Sequence, residues 1–197
     1  MNVLHIDSSI LGEASASREL TRAIVTRLKA EQPGVRVTYR DLAADPLPHF
    51  SAESLSGQAS AAAARDTAAL EEFLAADLIV IGAPLYNFSL PSQLKAWIDR
   101  ISIKGRTFRY GATGPEGLAG GRRVIVALAR GGIYEPDAGT EFAESYLKFL
   151  FAFLGITDLT FVRAEGLNIS PEHRTRSLTG AHGAIAALGA GRPALAA

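Results

Sequence analysis

Three short segments carry the residues best suited to chemistry. In the first, Ser8, Ser9, Ser15 and Ser17 crowd together just before a stretch with helical periodicity. A helix N-terminus has backbone N–H groups without internal acceptors and a positive dipole end, so hydroxyls placed there suit an anion. Such a seat is neutral, because hydroxyls add donors without charge, and the chain has neither the Gly-Lys-Ser/Thr of a Walker A loop nor GxGxxG. Helix capping by Ser15 or Ser17 accounts for any single serine, but less well for the cluster. The second segment, Pro84-Leu85-Tyr86-Asn87-Phe88, sets an amide between two aromatic rings. Tyr86 and Phe88 could line a flat ligand while Asn87, or its backbone, addresses a heteroaromatic edge; packing of both rings on the following helix explains the segment equally well. In the third, Ala129-Arg130-Gly131-Gly132, the glycine pair permits close backbone approach to a planar ligand. Arg130 reads as a structural ion-pair partner before it reads as a catalytic group.

Together these segments offer a phosphate seat and two clamps for a planar ring, which fits a mononucleotide such as FMN. No acid–base pair is evident. His5 falls in an apolar strand, His49 in a proline-rich loop, and His173 and His182 in the C-terminal helical region, each read as structural or solvated. Hydride transfer through a flavin asks little of protein side chains beyond orientation, ring electronics and a dry face. The absence of cysteine excludes thiol nucleophiles, iron–sulfur clusters, Cys-based zinc sites and CxxC redox couples, so a redox role needs a borrowed cofactor. No metal site is expected.

The elements that must position these segments follow from the hydrophobic periodicity. Asn2 to Asp7 reads as a first strand, and Leu20, Ile24 and Leu28 mark a helix that Pro33-Gly34 stops. Val35, Val37 and Tyr39 alternate with Arg36, Thr38 and Arg40, the pattern of a strand buried on one face near a sheet edge. Leu42 to Ser60 contains Pro46 and Pro48, lacks a period and reads as a long loop of the kind that often carries function. An alanine-rich helix with Leu70, Phe73 and Leu74 leads into Leu78-Ile79-Val80-Ile81, whose continuous apolar run marks a strand covered on both faces, at the sheet centre. Pro91 opens a helix with Leu94, Trp97, Ile98 and Ile101, and Val124 to Leu128 forms a fourth strand. An apolar helix from Phe142 to Leu154, a fifth strand at Leu159 to Val162 and an alanine-rich helix ending near Leu188 complete five rounds of βα. The expected fold is α/β, a three-layer sandwich with a five-stranded parallel sheet and helices on both faces. Ligands in such sheets collect beyond the carboxyl ends of the strands where strand order reverses, the position of all three segments.

The chain has 197 residues, 48% of them hydrophobic, with 20 Lys+Arg against 20 Asp+Glu. That length suits a single domain spanning 1–197 that needs no disulfide or metal staple. Its last residues, Gly189 to Ala197, are expected to be loosely ordered. Zero formal charge gives no general attraction for nucleic acid or an anionic membrane. The N-terminus lacks the basic and apolar regions of a signal peptide, and no stretch of about 18 uncharged apolar residues follows, so a cytoplasmic location is expected.

Several segments then resemble one family. Asp7-Ser8-Ser9-Ile10-Leu11, Tyr39-Arg40-Asp41-Leu42-Ala43, Ala83-Pro84-Leu85-Tyr86-Asn87-Phe88, Gln93-Leu94-Lys95, Thr107-Phe108-Arg109-Tyr110, Gly114-Pro115-Glu116-Gly117-Leu118, Arg130-Gly131-Gly132-Ile133 and Phe153-Leu154-Gly155-Ile156-Thr157-Asp158 are similar to the FMN-dependent NADH:quinone oxidoreductases, also called FMN-dependent NADH-azoreductases. The resemblance implies a flavodoxin-like fold and a homodimer with FMN near the subunit interface. It also implies ping-pong transfer of hydride from NADH or NADPH through FMN to quinones and azo compounds. Carried over by position, the FMN phosphate meets Ser9, Ser15, Ala16 and Ser17. The ring meets Leu85, Tyr86, Asn87 and Phe88 on one side and Ala129, Arg130, Gly131 and Gly132 on another. Tyr110 and Phe153 match aromatic positions that the family places over the flavin, one from the partner subunit, and Tyr134 joins them in the substrate pocket; Phe153 also reads as a core residue of its apolar helix. Ala16 stands where glutamine is common, Leu85 where methionine is, Ala129 where serine or threonine is, and Tyr134 where some members have histidine; backbone contacts survive the first three.

Three other classes fit less well. A Gly-Asp-Ser esterase is suggested by Asp7-Ser8, but the preceding glycine and a C-terminal Asp-x-x-His are missing. A receiver-like signalling module needs a phosphoacceptor Asp after the third strand, where Gly82-Ala83-Pro84 stands. Flavodoxin-like electron carriers are usually strongly acidic, unlike this neutral chain.

Overall fold

Five parallel strands form the central sheet: β1 (Asn2–Asp7), β2 (Arg36–Asp41), β3 (Leu78–Pro84), β6 (Arg123–Ala129) and β7 (Asp158–Ala164). The computed structural model describes residues 1–52, 54, 61–134 and 142–189. The strands run in the order β2-β1-β3-β6-β7, so the direction of winding reverses between β1 and β3. Register aligns Asp7 with Gly82, Pro84 with Ala129 and Ala129 with Ala164, which brings the carboxyl ends of four strands to one edge. The central placement expected of the Leu78 to Ile81 run is observed: every residue of β3 is buried.

The helices are α1 (Ala16–Glu31), α2 (Ala61–Ala75), α3 (Ser92–Ile101), α4 (Ala143–Phe153) and α5 (Pro171–Ala187). Alternate residues of each strand point to opposite faces of the sheet, so one strand feeds two cores. Leu4, Ile6, Ile79, Ile81, Val124 and Val126 pack with Phe73 of α2, Trp97 of α3 and Phe151 of α4. Val3, Leu78, Val80, Ile125 and Val162 pack on the other side with Leu20 and Ile24 of α1 and Ala181 and Ile185 of α5. Thus α1 and α5 share one face, with their N-termini at the edge where the strands end.

Three features differ from the sequence reading. Tyr39 is 52% exposed rather than inward-facing; its ring lies 4.8 Å from His5 instead of in a helix-covered core. The long loop is pinned where it is described: Leu42 and Leu47 are buried, and buried Arg100 donates to the His49 carbonyl at 3.2 Å. The remainder of that loop (53 and 55–60) and most of the C-terminal tail (190–197) lie outside the described residues. An antiparallel hairpin of β4 (Phe108–Gly111) and β5 (Gly114–Gly117) is additional to the five expected strands. It docks on the end of α4 so closely that a Cβ on Gly117 would overlap the Gly155 backbone nitrogen, and Ala119 N–H donates to the Leu154 carbonyl at 2.9 Å.

Candidate functional site

A cavity of about 180 Å³ opens at the carboxyl edge, where strand order reverses. Ser9, Leu11, Ala14, Ser15, Ala16 and Ser17 wall one side, Pro84, Leu85 and Tyr86 a second, and Ala129, Arg130 and Gly131 a third. The three segments read from the sequence are therefore neighbours in space. Leu167, Asn168 and Arg174 complete the wall from the loop after β7 and the start of α5.

The serines divide into different tasks. Ser15 caps α1, its hydroxyl accepting from Arg18 N–H at 3.3 Å and lying 3.1 Å from the Ser17 hydroxyl. The N–H groups of Ala16 and Ser17 belong to the first helical turn, which has no intrahelical acceptors to offer them. Backbone donors at position 16 need no glutamine side chain. Ser8 turns away: its hydroxyl is fully buried and donates to the Gly82 carbonyl at 2.7 Å. That arrangement removes the nucleophile on which an esterase reading depended.

A partly buried polar network holds the serine loop from below. Arg18 donates to the Ser9 carbonyl at 2.8 and 3.2 Å and grips Asp41 with a fork of 2.6 and 2.7 Å. These hydrogen bonds hold the Asp41 carboxyl below its ordinary range and raise the Arg18 guanidinium. Asp7 accepts from Thr21 at 2.8 Å and from the Tyr39 hydroxyl at 3.1 Å. Burial, reinforced by the Asp7 charge, pushes Tyr39 up to about 12. Gly82 on the adjoining strand leaves room for this carboxylate, since a Cβ there would stand 2.7 Å from Asp7 Oδ1.

In the second segment Asn87 and Phe88 both have left-handed backbone, with φ of 49° and 66°. Tyr86 and Ser89 exchange backbone hydrogen bonds of 2.9 and 3.0 Å, so Asn87-Phe88 form the tip of a two-residue hairpin turn. Left-handed backbone costs a non-glycine residue such as Phe88 about 1–2 kcal/mol, and the turn leaves its ring 55% exposed. Phe88 meets Tyr134 edge-on at 6.4 Å. Tyr86 lines the cavity, but its hydroxyl lies 3.1 Å from the Ser9 hydroxyl and accepts from Ile10 N–H at 3.2 Å, joining two of the segments.

Arg130 lines the cavity with its guanidinium engaged by Glu165 at 2.6 Å and Glu144 at 3.2 Å. The close approach at Gly131 is to the chain itself: a Cβ there would stand 2.6 Å from Asn168 Nδ2, and Asn168 N–H donates to the Gly131 carbonyl at 3.0 Å. Gly132 accepts from Gly166 N–H at 2.8 Å. Tyr110 and Phe153 do not line this cavity. They flank Phe108, at 5.7 and 4.8 Å between ring centroids, and Phe153 stacks on Phe149, forming an aromatic ladder on the hairpin and α4. The histidines also lie outside the cavity wall, and His5 and His182 stand 3.5 and 2.8 Å from the carboxylates of Asp7 and Glu19. Among the described residues no group of three or more potential metal ligands is gathered, and no helix is long and apolar enough to cross a membrane.

Sequence reasoning missed Asn168 and Arg174. Both follow a strand that carried no recognisable motif, and only the rule that ligands gather at the carboxyl ends of all the strands could have directed attention there.

A doubly wound parallel sheet with a serine-lined cavity at its switch point defines the flavodoxin-like class, and the family described by that fold matches residues 1–188. A protein of Xanthomonas oryzae pv. oryzae named FMN-dependent NADH:quinone oxidoreductase is 56% identical over 181 residues, covering 92% of this chain and 93% of its own. A Methylorubrum extorquens protein of the same name is 54% identical over 200 residues, covering 95% and 98%. The crystal structure of an azoreductase from Bacillus anthracis superposes with a TM-score of 0.87 at 29% identity, covering 95% of this chain and 97% of that one. An FMN-dependent NADH-azoreductase from the same species, solved in complex with FMN, gives 0.83 at 30% identity with 95% and 99% covered. This chain belongs to the FMN-dependent NADH:quinone oxidoreductase family.

Proposed function

We propose that this protein is an FMN-dependent oxidoreductase that takes electrons from NADH or NADPH and reduces quinones and azo compounds. The observation that carries the reading is the serine-lined cavity at the strand-order switch, in a chain more than half identical to relatives bearing that name. Its donor set suits the phosphate and polyol of FMN: hydroxyls of Ser9, Ser15 and Ser17 with the N–H groups of Ala16 and Ser17. Bound there, FMN would supply hydride transfer between a nicotinamide and an acceptor that share the pocket in turn, a ping-pong order.

The chain's own residues hold, orient and exclude. Leu85, Tyr86, Asn87 and Phe88 would take one side of the ring and Ala129, Arg130, Gly131 and Gly132 the other; the N–H groups of Leu85, Tyr86 and Arg130 already donate to the Ala129, Ser89 and Ala164 carbonyls, so the backbone donors would come from Asn87, Phe88, Gly131 and Gly132. Such preorganised donors favour developing negative charge without acid–base help. Tyr134, whose ring meets Phe88 edge-on, would line the acceptor side. Tyr110 and Phe153 complete the pocket in a homodimer. This part of the proposal is supported by the exposed apolar residues of the ladder, Tyr110 at 65% and Phe149 at 73%, which a second copy would cover. A cytoplasmic location follows from the donor, a soluble nucleotide of that compartment.

The test is the absorption spectrum of the purified protein followed by anaerobic titration. A yellow chromophore that bleaches with NADH and recovers with a quinone is the expected result. Protein that is colourless and cannot take up FMN refutes the proposal. Sedimentation at several concentrations checks the dimer, a monomer throughout refuting that part.

A further inference from the structure

The sequence led to an uncharged phosphate seat, whereas the cavity has two cationic side chains in its wall and no carboxylate among its described lining residues. The two arginines differ. Arg130 is already engaged by Glu144 and Glu165. Arg174 has no side-chain hydrogen bond or ion pair to any described residue, although it is half-buried.

Its position explains where that charge is directed. Arg174 lies in the opening turns of α5, its backbone N–H bonded to the Ser170 carbonyl at 2.9 Å. Helical side chains lean toward the N-terminus of their helix, which here means toward the carboxyl edge of the sheet. The helices α1 and α5 pack on the same sheet face and touch each other, so residues from the first turns of both can reach the carboxyl edge of the sheet. Arg174 and the Ser15-Ala16-Ser17 turn thus border one small cavity from opposite helices.

We infer that Arg174 is a binding residue for the FMN phosphate, the cation that makes this site select a phosphorylated flavin over an unphosphorylated one. The inference rests on the proposed flavin function. A phosphate monoester carries nearly two negative charges at neutral pH. Hydroxyls and helix N–H groups offset part of that charge, and a guanidinium adds a planar fork matched to phosphate oxygens. Riboflavin has the same ring and polyol without the phosphate, so it isolates this contact.

The experiment measures equilibrium binding of FMN and of riboflavin to the flavin-stripped full chain by fluorescence quenching, in wild type, Arg174→Met and Arg174→Lys. Arg174→Met is expected to weaken FMN on the order of ten- to a hundredfold, as for a lost charge-assisted hydrogen bond, while riboflavin changes by less than about twofold. Arg174→Lys recovers part of the FMN affinity, and the salt dependence of FMN binding is shallower in Arg174→Met than in wild type. Thermal unfolding of each variant reads folding separately. Unchanged FMN affinity in Arg174→Met overturns the assignment, as does an equal loss for both flavins, which would mark a structural role. Wild type binding FMN no tighter than riboflavin also overturns it, leaving the flavin function standing. Wild type binding neither flavin overturns that function and this assignment together.

Discussion

Replacing Glu144 with glutamine tests how the third cavity loop is held. Glu144 opens α4 and accepts a fork from Arg163 at 2.9 and 2.6 Å, a bond from Lys148 at 2.8 Å and one from Arg130, next to Gly131, at 3.2 Å. Its side chain is only 13% exposed, and chiefly the Arg163 hydrogen bonds lower its pKa from 4.5 to about 2. At ~1.4 kcal/mol per pH unit, that lowering corresponds to roughly 3.5 kcal/mol of native-state stabilisation by the charged form. Arg163 and Lys148 are 43% and 58% exposed, so solvent screening reduces the expected effect to about 1–2 kcal/mol. The sign follows from the depressed native pKa: the stabilisation is complete above the unfolded value near 4.5 and disappears as pH falls toward 2. Urea unfolding of wild type and Glu144→Gln at pH 7, 5, 4 and 3 should show the variant weaker at pH 7, with the gap narrowing below pH 4.5. A gap independent of pH, or a variant as stable as wild type at pH 7, would refute the electrostatic account.

Two substitutions of glycine test the close approaches around the site. Gly82→Ala places a methyl 2.7 Å from Asp7 Oδ1 and 3.2 Å from Thr21 Cγ2, inside a rigid central strand. It should cost about 1–3 kcal/mol in urea unfolding; a loss below measurement would mean that Asp7 moves freely, contrary to its bonds with Thr21 and Tyr39. Gly117→Ala drives a methyl into the Gly155 backbone and should lift the hairpin, increasing hydrogen exchange at Leu118 and Ala119, whose N–H groups bond to Thr107 and Leu154. Wild-type protection there would show that the hairpin does not depend on that contact.

Much of the scaffold was legible because local pattern and global environment agree. The uninterrupted apolar run at Leu78 to Ile81 can be satisfied only where both faces are covered, and it occupies the sheet centre. The hairpin was not legible. Gly114-Pro115-Glu116-Gly117 has no alternation to read, and Gly117 is explained by Gly155, which is distant in sequence and adjacent only after folding. Arg174 was hidden for the same reason: nothing near it in sequence is a phosphate motif.

By itself the sequence determined the α/β class, the strands that must be central and the three segments with chemical capacity, because periodicity and residue type act over a few neighbours. Tertiary structure decided how those capacities are used. It buried Ser8 on Gly82, committed Arg130 to carboxylates, filled the space beside Gly131 with Asn168 and brought Arg174 to the serines. Each outcome depends on which strand ends lie side by side, and strand order is set by packing helices on both faces rather than by any local signal.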